Sequence, residues 1–241
     1  MAHQLALGRE VLVKAARRSG AADLSAEELG RAFERAYVDA VEQSSHGRTV
    51  TPSEQLRRAA AETGRAADPS DYLEALRREV ERTPFLRAPG AVELLHGLRE
   101  EGYRVGVISN TVGEPGEFLR PVLRSMGLDR DVETFVFSDE QPWTKPAPEI
   151  FLLALQRLDT YPRDAVHVGD GWADLEGSHR AGYRGSVLFT GLHRYGARYR
   201  ELFLPQAPEQ PEAKYRTDRL DEVGSIVRTI LPADERGPGG R

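Results

Sequence analysis

Residues 1 to about 83 read as helices only. Leu5, Leu7, Val11, Leu12 and Ala15 form one apolar stripe, and Leu29, Phe33, Ala36, Tyr37 and Ala40 a second. Ser25 and Glu28 have the spacing of a capping box at the start of that second helix. Thr51-Pro52 predicts a third helix with proline in its first turn, and Ser70 or Asp71 opens a fourth that ends near Arg82. The arginines and glutamates between the apolar positions read as solvated faces.

From Pro84 the pattern changes to strands alternating with helices. Strands are predicted over 103–108, 132–137, 165–169 and 186–189. Helices are predicted over 91–101, 115–126, 146–158, 174–181 and 220–231. This alternation predicts an α/β fold with a doubly wound parallel sheet. The expected division is a helical domain over 1–83, an α/β core over 84–232 and a disordered tail over 233–241.

Composition narrows the function classes. The chain has 241 residues, 29% of them charged, with a net charge of −5. That balance gives no general attraction to nucleic acid or to an anionic membrane. Cysteine is absent, which excludes disulfides, thiolate nucleophiles and cysteine-type zinc sites. No apolar run approaches the ~18 residues of a membrane span. The N-terminus has no basic segment leading into a long apolar stretch, so a cytoplasmic location is expected.

Three motifs sit at predicted strand tips. Ser109-Asn110-Thr111 places a hydroxyl and an amide where free backbone N–H groups follow, a setting able to hold phosphate oxygens. Lys145 lies in a loop stiffened by Pro142, Pro146 and Pro148, which would hold its ammonium in a fixed place. Gly169-Asp170 followed by Asp174 puts two carboxylates at one strand tip, a corner suited to Mg²⁺. Each has a plainer explanation: ordinary loop chemistry, a surface lysine, a helix-capping carboxylate. Together, and in this order, they are far more specific.

The three motifs resemble those of the haloacid dehalogenase superfamily. Ser109 matches its phosphate-binding hydroxyl, and Lys145, in Lys145-Pro146-Ala147-Pro148-Glu149-Ile150-Phe151, matches its lysine. Asp170 and Asp174 match its acidic metal motif, and residues 1–83 resemble its helical cap. The resemblance implies a Rossmann-like core and a cap closing over it. The acidic pair points to the phosphatase branch, since family dehalogenases work without a metal. Implied roles are Lys145 as a catalytic cation, Ser109, Asn110 and Lys145 at the phosphate, and Asp170 and Asp174 at Mg²⁺.

The family begins with a strand ending in Asp-x-Asp, whose first aspartate is the nucleophile. Here the cap-like helix starts almost at Met1. The one Asp-x-Asp, Asp129-Arg130-Asp131, precedes a predicted strand and so lies at its N-terminal end, away from the catalytic face. In the family the missing strand lies mid-sheet, between 103–108 and 165–169. Its loss would leave two interior edges unpaired, at about 1–3 kcal/mol for each buried unsatisfied group. Three explanations stay open: an upstream segment carrying the strand, a rearranged inactive relative with 9–13 filling the gap, or a strand from a partner chain.

The leading expectation is a Mg²⁺-dependent phosphatase of a small phosphorylated metabolite, inactive as the 241-residue chain. The alternative is a non-catalytic binding or regulatory protein. Neither nucleic acid nor a membrane is expected as partner, and a homodimer is compatible with both readings. Substrate choice would sit around Tyr37, His46 and Arg48. His167 reads as structural, and Trp143 and Trp172 as packing residues. No Gly-x-Ser-x-Gly elbow or dinucleotide fingerprint is present.

Overall fold

The computed structural model describes residues 13, 17, 25–63, 69–82, 87–111, 114–191 and 213–232. The predicted stripe over 5–15, apart from Val13, and the predicted tail over 233–241 lie outside the described residues.

The helical region follows its sequence signals. Helix α1 spans Ala26–Ser45, α2 Pro52–Glu62 and α3 Pro69–Arg82. The capping box is present: Glu28 N donates to Ser25 Oγ at 3.2 Å, and Ser25 N donates to Glu28 Oε2 at 2.9 Å. Pro52 occupies the first turn of α2, where its missing N–H costs nothing. Leu29, Phe33, Ala36 and Ala40 are buried as the stripe requires, whereas Tyr37 is only partly so. The outer faces carry exposed pairs such as Arg77–Glu74 and Arg31–Glu27, each worth little in water.

The α/β region comprises α4 (Ala91–Glu100), β1 (Gly106–Ser109), α5 (Gly116–Ser125) and β2 (Thr134–Phe137). It continues with α6 (Pro148–Arg157), β3 (Val166–Gly169), α7 (Trp172–Arg180), β4 (Gly185–Phe189), β5 (Tyr215–Thr217) and α8 (Leu220–Ile230). The two regions share one apolar cluster, in which Phe118 of α5 packs with Leu29, Phe33, Leu76 and Val80. Val13 is helical and belongs to that cluster. That placement sets Val13 among the helices; residues 9–12 lie outside the described residues.

Among the described residues every strand pairing is parallel, and the pairings fall into two groups. One part pairs β1 with β2; the other runs β3-β4-β5. Among the described residues no strand pairs the second edge of β1 or of β3. Between them lies a cavity of about 390 Å³, lined on one side by 103–108 and on the other by 165–168. Burial follows the division. Val136, Val187 and Leu188 on β2 and β4 are 0% exposed. All four residues of β1 are half-buried, and Val168 on β3 is 37% exposed. Interior strands of a parallel sheet are normally dry on both faces, so β1 and β3 have the burial of edges.

Candidate active site

The carboxyl ends of β1 and β3 bring the sequence motifs to opposite lips of this slot. Ser109 closes β1 and Asn110 follows it. Gly169 closes β3, with Asp170 next.

Asp174, in the first turn of α7, folds its side chain back over Gly169. A Cβ on Gly169 would lie 2.2 Å from Asp174 Cγ, so only glycine fits there. The carboxylate is 4% exposed and spent on protein contacts. Oδ1 accepts from Lys145 Nζ at 2.6 Å and meets His167 Nε2 at 3.0 Å. Oδ2 accepts from the backbone N–H of Asp170 at 3.2 Å and of Gly171 at 3.1 Å. Burial pushes this carboxyl up, but the Lys145 ammonium and the His167 ring outweigh it and hold the group well below the usual carboxylate range. Four contacts fill the roughly four acceptor positions of a carboxylate. Asp174 therefore faces the lysine, where the sequence placed it beside Asp170 at a metal.

Asn110 lies at the tip of β1, and its side chain is engaged within the protein. Its Oδ1 accepts from Lys145 N at 2.8 Å, and Nδ2 donates to Lys145 O at 2.9 Å and to Ser44 Oγ at 3.1 Å. With both amide hydrogens and the oxygen engaged, the side chain clamps the Lys145 loop. Thr111 behaves similarly. It bonds Ser138 and Asp139, and Asp139 accepts from Gly116 N at 3.0 Å, capping α5.

Four features escaped sequence reading. His167, read as structural, is the second partner of Asp174, packed edge-on against Phe151 with centroids 5.0 Å apart. The signal was its alternation: 167 and 169 share a face of β3, the face Asp174 covers. Glu114, beyond the β1 tip, has its carboxyl pushed up to about 7 by burial. Ser44 comes from the helical region. Trp143, read as packing, is 37% exposed and forms an isolated bridge with Arg48.

As a metal site the donor set is partial. Asp170 supplies a hard oxygen donor of the right kind, whereas both oxygens of Asp174 are already engaged within the protein. Yet no group of three His, Asp or Glu side chains able to hold an ion occurs among the described residues. Asp129 and Asp131 lie in the turn before β2, at the sheet's opposite end, with Asp131 3.4 Å from His96. No described helix is long and apolar enough to cross a membrane.

Comparison with known proteins bears on the family and the fold. A glyceraldehyde 3-phosphate phosphatase from Pyrococcus furiosus is 35% identical over 122 residues, covering 50% of this chain and 47% of that protein. The pyrophosphatase PpaX of Bacillus thuringiensis is 31% identical over 113 residues, 47% of this chain and 50% of its own. The matched stretch thus spans about half the length of these curated relatives. Among solved structures, a HAD phosphatase from Thermococcus onnurineus superposes with a TM-score of 0.63 at 21% identity, over 93% of this chain and 89% of that one. An L-2-haloacid dehalogenase from Xanthobacter autotrophicus gives 0.59 at 15% identity, over 92% and 93%. At such identities these structures speak for the fold and do not choose between phosphatase and dehalogenase chemistry. A family model for haloacid dehalogenase-like hydrolases matches residues 5–182, and the chain belongs to that family.

Proposed function

We propose that this chain is the body of a Mg²⁺-dependent phosphatase acting on a small phosphorylated metabolite. Its nucleophile would be carried by a strand that enters the slot between β1 and β3. The observation that carries the reading is the buried Lys145–Asp174 pair, bonded to the backbone of Asp170 at the tip of β3. Family dehalogenases work without a metal, so a metal-ligating role for Asp170 would set this chain apart from them.

Roles follow from the geometry. Lys145 presents a fixed ammonium to a phosphate oxygen, its position set by Asp174 and by the clamp of Asn110. Ser109 Oγ and nearby backbone N–H groups donate to the other phosphate oxygens. Asp170 would ligate the metal directly, and Asp174 would support it through hydrogen bonds, with further donors coming from the slot strand, substrate and water. Bound Mg²⁺ would shield the phosphate charge from an anionic nucleophile. Helices α1–α3 would act as the cap, excluding water from the strand tips.

An aryl phosphate and Mg²⁺ provide the test. The 241-residue chain alone should turn over negligibly. The same chain preceded by an apolar strand ending in Asp-x-Asp should gain Mg²⁺-dependent turnover, and Asp170→Asn should abolish the gain. Robust turnover by the 241 residues alone that survives Asp170→Asn would overturn the reading. One observation favours a second reading, a binding protein without turnover: no described carboxylate lies where the nucleophile is needed. Calorimetric binding of inorganic phosphate, with no product formed even after the strand is supplied, would select it.

A further inference from the structure

The last turn of α1 reaches the lysine loop directly. Ser44 is 8% exposed, and its Oγ lies 3.1 Å from Thr144 Oγ1, which is 1% exposed. The same Oγ accepts from Asn110 Nδ2, the amide whose other two bonds bracket the backbone N–H and C=O of Lys145. Contact continues beyond the helix. Arg48 bridges Trp143, and Gly47, at φ +77°, leaves so little room that a Cβ there would sit 3.2 Å from Ala147 Cβ. The helical region thus grips the loop 143–147 at three points, and one of them is wired to Lys145.

We infer that Ser44 is a positioning residue that couples the docking of α1 to the placement of the Lys145 ammonium. A primary amide has two N–H donors in one plane. With one on Lys145 O and the other on Ser44 Oγ, the plane is fixed and Oδ1 stays aimed at Lys145 N. Removing Ser44 Oγ frees one donor in a buried place, so the amide turns to find another partner and its hold on Lys145 loosens. Docking of the helical region and positioning of the cation become one event. This role presupposes Lys145 as the phosphate-facing cation proposed above.

The test reads Lys145 itself. The chain's lysines are Lys14, Lys145 and Lys214, so trace acetylation with acetic anhydride followed by peptide mass spectrometry resolves each one. Lys145, 14% exposed and paired, should label slowly beside exposed Lys214. In Ser44→Ala the Lys145 rate should rise about two- to tenfold, the equilibrium factor carried by one lost hydrogen bond. Lys214 should be unchanged. Asn110→Ala should raise the Lys145 rate at least as much. An unchanged Lys145 rate in Ser44→Ala overturns the role, and so does a parallel rise at Lys214, which would mean general loosening. If Ser44→Ala does not fold, the near-isosteric Ser44→Cys carries the same criterion. Inorganic phosphate is the separate arm: failure to protect wild-type Lys145 would count against the phosphatase reading and leave the Ser44 result standing.

Discussion

Strands β2 and β4 and strands β1 and β3 belong to one fold but do different work. The first pair is dry: Val136, Val187 and Leu188 have no exposed surface, and Phe137 has 1%. The second pair borders the slot and is half-open along its length, yet its tips carry Ser109, Asn110, Gly169 and Asp170. Deep burial is concentrated in β2 and β4, and the polar chemistry sits on the two strands that border the cavity. Sites on open α/β sheets form at the carboxyl ends of the strands. Here the same place is also where, among the described residues, β1 and β3 do not pair with each other.

Substitutions can break or sharpen that contrast. The largest effect is expected at the slot's charged corner. Asp174→Asn leaves Lys145 largely buried without its counter-charge, which should cost about 3–5 kcal/mol in denaturant unfolding. Next comes a matched pair of truncations. Leu188→Ala on β4 should cost about 2–5 kcal/mol, whereas Val168→Ala on β3 should cost less than ~1 kcal/mol because the side chain is already part-exposed. Equal losses at both would mean the slot is filled in solution. Gly169→Ala should cost about 1–3 kcal/mol by forcing Asp174 aside, and should speed acylation of Lys145 where Leu188→Ala does not.

The pH dependence is the smallest and most specific effect. Glu114 has its folded-state carboxyl raised from 4.5 to about 7, so the native state holds a proton that the unfolded chain has released. Its contribution is complete below pH 4.5 and is lost as pH rises through about 7. Asp174 acts in the opposite sense. Its carboxyl is depressed in the fold, so its contribution is present above its ordinary value of 3.8 and fades as pH falls below that. Melting temperature should therefore decline between pH 5 and 8 in the wild type and less so in Glu114→Gln. The acid-side decline should shrink in Asp174→Asn.

Much of this was legible in the sequence, for physical reasons that also explain what was not. The Ser25–Glu28 box, the Leu29–Phe33–Ala36 face and four of the strands are local patterns, encoded within a few residues of themselves. Strand β5, Tyr215–Thr217, was missed because three residues with an arginine at the centre show no apolar period. The order of motifs brought Lys145 and Asp174 into one ion pair next to Asp170. Side-chain partners were illegible. Asn110 was read as a phosphate ligand from its place at a strand tip, but its bonds go to Lys145 and Ser44, 35 and 66 residues away. Asp174 was read beside the metal, but its oxygens are taken by Lys145, His167 and two backbone amides. Such contacts exist only once the strands are assembled.

Residue-resolved amide hydrogen exchange on the 241-residue chain tests the central claim most directly. In a parallel sheet successive amides bond alternately to the two neighbours. A strand with one neighbour should therefore protect only every second amide. The account predicts alternating fast and slow exchange along 106–109 and 166–169, with slow exchange throughout 186–188 on β4. Uniform protection along β1 and β3 would show that both edges are already paired, and would contradict the open slot on which the proposed function depends.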